Sequence, residues 1–230
     1  MKRRLTLVLG GVALALVALW LSLSRDTCGA WPKQQPSLAL AARARGTPRV
    51  GAAKVDVTLP FPVPVGGYGP PHHTVSSAST PLSARALVVD VGGQQKALVL
   101  LDVMLVTPQL RDLIAKGFSV PVITLATHTH SGPGAYARNS ATEWAALGSF
   151  SPAVEEALAT AARTALTQAL AALAPAHLET GHATTEGVTI ARTGAAADTR
   201  FTRLLFAREE GPVAQLLIVS AHPTLVEKNP

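Results

Sequence analysis

One stretch of the sequence decides the fold: VPVITLATHTHSGPG, residues 120–134. Its first seven residues are largely apolar and β-branched, and a Gly-Pro-Gly cluster follows, which is typical of a buried strand that ends in a turn. Because side chains alternate along a strand, we expect His128 and His130 on the same side. Neutral imidazole is a common zinc ligand, so one or both rings can hold a metal, with the second alternatively moving a proton. The competing interpretation is a pair of strand-end histidines bonded to backbone groups.

On either side of this stretch, the pattern of apolar residues predicts an α/β fold with mixed sheets and packing helices. Apolar or alternating runs predict strands, and helical spacing predicts two helices, the longer beginning at Ser151-Pro152. The strands are expected at residues 50–58, 85–91, 96–103, 120–126, 177–183, 201–207 and 213–220, and the helices at 108–116 and from 152 to just before Pro175.

A second histidine, His222, directly follows the last predicted strand, which is also expected to be buried. Residues distant in sequence commonly meet at strand ends in α/β folds, so His222 is a candidate partner of the first pair. Asp102 closes another apolar strand and either bonds to a loop or orients a histidine.

The remaining histidines are weaker candidates. His72 and His73 lie in a loop rich in glycine and proline, and adjacent residues point apart on most backbones, so a solvated loop is favoured over a metal pair. His177 and His182 lie near turn residues and are interpreted as structural.

The charge distribution argues against a nucleic-acid-binding domain. The net charge is +6, but nine of the 20 lysines and arginines lie in the first 54 residues, opposed there only by Asp26, so this segment carries +8 and the rest −2. The folded part therefore lacks the basic face that phosphate binding requires. The one cysteine, Cys28, excludes an internal disulfide.

The amino terminus predicts a membrane anchor. Lys2-Arg3-Arg4 precedes an uncharged apolar run from Leu5 to Leu23, which as a helix would span about 28 Å, close to the bilayer core of about 30 Å. No cleavage site follows at the right place, so residues 1–25 are interpreted as an uncleaved signal-anchor, or transmembrane segment. The positive residues keep the amino end in the cytoplasm and place the rest on the exported side, in the periplasm or at the cell surface. A lipoprotein signal at Cys28 is the weaker alternative.

The domain organisation follows from this pattern. Residues 26–48 are rich in Pro, Gln, Ala and Arg, which indicates a flexible tether. Residues 49–230 are expected to form one catalytic domain.

Several motifs of this domain resemble, in the same order, the amino-terminal catalytic domain of the neutral (alkaline, non-lysosomal) ceramidases. The most specific of these motifs is the string THTHSGPG at residues 127–134, within the matching stretch 126–134. The others are VGAAKVDVT at 50–58, the Gly67-Tyr68 loop, ARAL at 84–87, the Asp102 strand and AHPT at 221–224.

The resemblance implies a zinc-dependent amidase that cleaves N-acylsphingosine into fatty acid and sphingoid base. It places zinc on His128 and His222, and it gives His130 the catalytic role at the reacting carbonyl or its water. The implied substrate is a lipid-like amide of the ceramide class. The charge distribution predicts no nucleic-acid partner, and the oligomeric state is undetermined.

The family completes its metal shell with a glutamate and a tyrosine further along the chain, and neither has a counterpart here; Glu227 does not match that glutamate. The sequence is therefore expected to be an incomplete, inactive fragment of a longer enzyme. Two alternatives stay open: a metal-dependent hydrolase of another amide or ester on the same scaffold, and a non-catalytic surface protein.

Overall fold

The structure is a computed structural model that describes residues 14–15, 17, 44–187, 194 and 196–223. The described part of the chain from residue 44 onward is a mixed α/β unit, as the sequence predicts. The strands are β1 (Arg49–Asp56), β2 (Val63–Pro64), β3 (Thr74–Val75), β4 (Ser83–Val91), β5 (Gln94–Leu101), β6 (Val122–Ala126), β7 (Ala174–Pro175), β8 (His177–Thr184), β9 (Arg200–Arg208) and β10 (Gly211–Val219). The helices are α1 (Pro108–Ala115), α2 (Ser140–Thr142), which continues as a π-helical turn (Glu143–Leu147), and α3 (Pro152–Ala171).

The first sheet has five strands in the order β6-β5-β4-β1-β7. The β4–β5 hairpin turns at Gly92-Gly93 as predicted, and both glycines have positive φ, which suits glycine because it has no Cβ. The chain then crosses over through α1, and β6 pairs in parallel with β5. The parallel pairing directs the residues after β6 toward the same end of the sheet as the residues after β5.

Helix α3 covers one face of this sheet. Its apolar stripe, which includes Leu158, Ala162 and Leu166, packs on alternate residues of β4 and β5 to form the main core. Ser151 takes the predicted N-cap position, but its side chain makes no capping hydrogen bond. Glu155 in the first turn is buried, and Arg138 contacts it at 2.5 Å, so an ion pair ties this helix to the loop after β6.

The second sheet has the order β10-β9-β8 and lies against the other face of the first. Phe206 and Val50 are buried in a small second core between the two sheets. Arg208 donates hydrogen bonds to the carbonyl groups of Val50 (2.6 Å) and Ala172 (2.8 Å), which ties β9 to β1 and to the end of α3. Residues of β1, β4, β5, β6 and β10 line a cleft of about 370 Å³ between the sheets.

The two strands that lead to the candidate histidines are less buried than predicted. β6 is an edge strand, and Ile123 and Leu125 are 50% and 37% exposed. β10 is also an edge strand, and Leu217 and Ile218 on it are about half exposed. The expectation of buried strands was wrong, because an apolar run shows that a strand prefers burial and does not show that another element covers it.

No helix of the described residues is long and apolar enough to cross a membrane. Of the predicted anchor at residues 1–25, only 14, 15 and 17 are described, and of the tether at 26–48 only 44–48, so these predictions fall almost entirely outside the described residues.

Candidate metal centre

His128 and His130 come together at the end of β6, for a reason other than the predicted one. β6 ends at Ala126, and His128 has a φ of 58°, a left-handed conformation that is uncommon for residues other than glycine. The alternation of a strand therefore does not continue through the pair. The turn nevertheless brings the two rings within 5.3 Å, centroid to centroid, at an angle of 79°.

His222 joins this pair from the end of β10. Its Nε2 atom lies 2.9 Å from His130 Nε2, and its ring centroid lies 5.0 Å from that of His128. One nitrogen from each of the three histidines lies within 4.8 Å of the other two. Residues 92 positions apart in the chain thus form one cluster, as the sequence predicts for His128, His130 and His222.

The His128 ring is held in one orientation by a backbone carbonyl. Its Nδ1 atom lies 2.6 Å from the carbonyl oxygen of Met104, in the loop between β5 and α1. A carbonyl oxygen only accepts hydrogen bonds, so Nδ1 carries a proton, and in the neutral ring Nε2 then carries the lone pair. This arrangement is the usual one for metal-binding histidines, in which the second ring nitrogen donates to a carbonyl or carboxylate.

His130 is the buried member of the cluster, at 7% exposure. The backbone of Gly67 packs on its ring so closely that a Cβ at residue 67 would lie 2.3 Å from His130 Nδ1. The Tyr68 ring lies edge-on to the same imidazole, and the two ring centroids are 5.4 Å apart. The Gly67-Tyr68 loop therefore forms one wall of the site and fixes the position of this imidazole.

The loop after His130 is secured to neighbouring loops through its backbone. Gly66 donates a hydrogen bond to the carbonyl group of Gly132 at 2.9 Å, and Gly134 donates to that of Pro64 at 2.6 Å. A Cβ on Gly134 would meet the carbonyl oxygen of Leu147 at 2.1 Å. The glycines of the THTHSGPG string are thus required by close backbone contacts next to the histidines.

Asp102 orients neither a loop nor a histidine, so both interpretations of it were wrong. Its carboxylate accepts hydrogen bonds from the backbone N–H (3.0 Å) and hydroxyl (2.9 Å) of Ser83 and from Arg85 Nη1 (2.8 Å). These contacts join the start of β4 to the end of β5. The loop that contains Met104 begins at this end of β5.

The other four histidines lie outside the cluster, in agreement with their weaker signals. His177 contacts Glu179 at 3.3 Å and His182 contacts Thr202 Oγ1 at 3.1 Å, both on the exposed second sheet. His72 and His73 lie in the predicted loop.

Comparison with known proteins decides the family. The model of the neutral/alkaline non-lysosomal ceramidase amino-terminal domain matches residues 49–201, more than half of the chain. The chain belongs to this family. No curated protein matches the sequence.

Solved ceramidase structures share the fold. A ceramidase complexed with C2 superposes with a TM-score of 0.69 at 22% identity, covering 79% of this chain and 32% of its own. The neutral ceramidase from Pseudomonas aeruginosa gives a TM-score of 0.67 at 20% identity, covering 81% of this chain and 33% of its own. The chain thus spans about a third of the length of these ceramidases.

The three histidines of this ceramidase-family domain fit a divalent metal ion. Zinc–nitrogen bonds of about 2.1 Å place two ligand nitrogens at most about 4.2 Å apart on one ion. The nitrogens lie within 4.8 Å of one another, which is close to this spacing, so histidines of the cluster could hold a metal ion. The fixed tautomer of His128 adds a lone pair directed away from the Met104 carbonyl.

Sequence reasoning missed the groups that support the histidines. The Met104 carbonyl belongs to the backbone and leaves no trace in the residue type. Tyr136, whose hydroxyl contacts the residue after Met104, is a buried aromatic that the sequence does not distinguish from a core residue. The Gly67-Tyr68 stretch was predictable as a loop from its glycines and prolines, but its contact with His130 was not predicted.

Proposed function

We propose that this chain is the amino-terminal part of a zinc-dependent amide hydrolase that converts N-acylsphingosine and water into fatty acid and sphingoid base. The observation that carries the proposal is the convergence of His128, His130 and His222 from two strand ends in a chain of the ceramidase family.

In this proposal His128 and His222 hold the metal ion. His128 offers Nε2, since its Nδ1 proton is directed at the Met104 carbonyl. A bound zinc ion would supply a water of lowered pKa and polarise the amide carbonyl. The glutamate and tyrosine that the family resemblance implies would complete the metal shell.

His130 acts as the proton carrier. The Nε2 atoms of His130 and His222 lie 2.9 Å apart, so one of them carries the proton that joins the two rings. Metal binding through His222 Nε2 would require that nitrogen to be unprotonated and would replace this hydrogen bond, which leaves the His130 ring to hold the proton. The close packing of Gly67 on the His130 ring keeps Nε2 of this ring directed into the cluster. A fixed imidazole that can hold and release a proton at one atom is suited to general acid–base catalysis.

The proposed substrate is a membrane lipid, and the proposed location agrees with it. An apolar anchor at residues 1–25 would hold the domain on the exported face of a membrane, and the tether at 26–48 would let it reach the lipid surface. N-acyl sphingoid bases are found in such a surface, so enzyme and substrate would meet there.

The test is zinc content and turnover of the chain together with any sequence that follows Pro230 in its gene. We expect about one zinc per chain and release of fatty acid from a short fluorescent ceramide. Release that is faster from N-acyl amino acids or simple esters would replace the ceramide assignment with that of another amide or ester hydrolase. Zinc without turnover of any of these substrates would indicate a binding protein, and a protein that retains no zinc would refute the proposal.

A further inference from the structure

The Met104 carbonyl fixes His128, so the group that fixes Met104 matters for the site. Met104 belongs to the loop between β5 and α1, outside regular secondary structure. A carbonyl on an irregular loop holds a ring in place only if its own peptide group is held.

Tyr136 holds this peptide group. Its side chain is fully buried, and its hydroxyl accepts a hydrogen bond from the backbone N–H of Leu105 (3.3 Å) and donates one to the Leu105 carbonyl (3.0 Å). A tyrosine hydroxyl is protonated at neutral pH and can both donate and accept, and burial raises the pKa of the Tyr136 hydroxyl further, to about 12.

The peptide geometry links these contacts. The N–H of Leu105 and the C=O of Met104 belong to the same peptide unit, which is planar and has these two groups on opposite sides. The Tyr136 hydroxyl accepts a hydrogen bond from the N–H of this peptide, and His128 Nδ1 donates one to its C=O, which points in the opposite direction. Rotation of the plane would break both bonds together, and hydrogen bonds in such a chain polarise each other.

We propose that Tyr136 is a positioning residue for the metal centre: its hydroxyl orients the Met104–Leu105 peptide and thereby selects the His128 tautomer that has its lone pair on Nε2. This proposal rests on the proposed function for one point, that His128 is a metal ligand, and it adds the group that orients this ligand. The tautomer itself is a property of the metal-free protein.

The first test measures that tautomer. In the full chain, purified in detergent without metal at pH 8, ring ¹⁵N shifts assigned by comparison with His128→Ala report which nitrogen of His128 carries the proton. We expect protonation at Nδ1 alone in the parent and a mixture of tautomers in Tyr136→Phe, which keeps the buried ring and removes the hydroxyl. Ile114→Val, which removes one methylene group from the same core, is the matched control and should keep the parent tautomer. A single unchanged tautomer in Tyr136→Phe would overturn the proposal.

The second test measures affinity for zinc alone by competition with a chelator, in the chain together with any sequence that follows Pro230 in its gene. Loss of a group that supports a ligand typically weakens metal binding about 10-fold, so we expect this change in Tyr136→Phe and none in Ile114→Val. Equal affinities of Tyr136→Phe and the parent would contradict the proposal. A parent that binds no zinc would refute the proposed function, while the tautomer measurement still decides the role of Tyr136.

A third measurement needs no variant, in case Tyr136→Phe does not fold. The Leu105 amide should exchange slowly with deuterated water in the parent, because its N–H is bonded to a buried hydroxyl. Exchange of this amide at the rate of an unprotected loop would overturn the proposal.

Discussion

His128 combines a strained backbone with a fixed side chain. A positive φ at a residue other than glycine costs on the order of 1 kcal/mol and persists only where surrounding contacts determine it. Here the turn directs the ring at the Met104 carbonyl on one side and at His130 and His222 on the other. Such strain is often found at functional sites, and at this residue it serves to bring two imidazoles together.

The histidines should separate into ligands and a proton carrier when each is removed. In the chain together with any sequence that follows Pro230, His128→Ala and His222→Ala should abolish zinc retention, since each removes a ligand. His130→Ala should keep the metal and lower turnover at least about 100-fold. The measurements are metal content by elemental analysis and fatty-acid release. His182→Ala, an exposed histidine bonded to Thr202, is the control and should change neither. Loss of metal in His130→Ala would make His130 a ligand and refute this division of roles.

The effect of close packing between Gly67 and His130 can be tested separately from the effect of the positive φ at Gly67. Gly67 and Gly93 both have positive φ, but a Cβ would meet His130 only at residue 67, and nothing lies within 4 Å of one at residue 93. Each substitution by Ala should cost about 1 kcal/mol of folding stability through backbone strain. Only Gly67→Ala should also displace the His130 ring and lower turnover. Equal turnover of the two variants would show that His130 does not depend on this wall.

The hydroxyl of Tyr136 predicts a decline in stability at high pH. Its pKa is raised to about 12 in the folded protein, so the folded state binds more protons than the unfolded state between pH 10 and 12. The contribution of Tyr136 to the free energy of unfolding should therefore be constant below pH 10 and fall by on the order of 2 kcal/mol as the pH rises to 12. Chemical denaturation across this range measures it, and Tyr136→Phe should lack this decline. A parent and variant with parallel profiles would contradict the prediction.

At the scale of elements, the contact between β1 and α3 sets the distance between sheet and helix. Gly51 lies so close to the end of the helix that a Cβ would be 2.0 Å from the carbonyl oxygen of Ala169. The side chain of any other residue would push the helix away from the sheet that it covers.

Gly51→Ala should therefore destabilise the domain by about 1 to 3 kcal/mol, the usual cost of overpacking a core. Gly181→Ala in β8 is the matched control, since nothing lies within 4 Å of a Cβ there. The control should leave the free energy of unfolding, measured by urea titration, nearly unchanged. A similar loss in both variants would mean that the helix adjusts without cost.

For the whole molecule, the apolar run near the amino terminus predicts attachment to a membrane, and the basic residues before it predict the orientation. The first 54 residues hold nine of the 20 basic residues, and the apolar run at 5–23 lies within them. Removal of residues 1–25 should move the protein from the membrane fraction to the soluble fraction. Replacement of Lys2, Arg3 and Arg4 by Gln should reduce export while keeping membrane attachment, because these charges set orientation. Protease protection of a carboxy-terminal tag measures the orientation, and a full-length chain in the soluble fraction would refute the anchor.

Much of the fold was predictable because its elements are specified locally. The hairpin at Gly92-Gly93, the helix beginning at Pro152 and the strand before His128 all follow from periodicity and turn residues. The exposure of β6 and β10 was not predictable, because it depends on which strands lie at sheet edges. The partner of Asp102 was mistaken for the same reason, since strand pairing brings Ser83 and Arg85 beside it.

The sequence by itself determined the chemistry available: three imidazoles after two apolar strands, glycines where backbones approach, and a family string specific enough to recognise. Only the tertiary structure decided that these imidazoles share one cluster and that Met104 and Tyr136 orient the first of them. The physical reason is that residue types fix which bonds a side chain can make, whereas the distance between residues 128 and 222 is fixed by the packing of two sheets. Backbone groups such as the Met104 carbonyl are the same at every residue, so only the fold selects the one that acts.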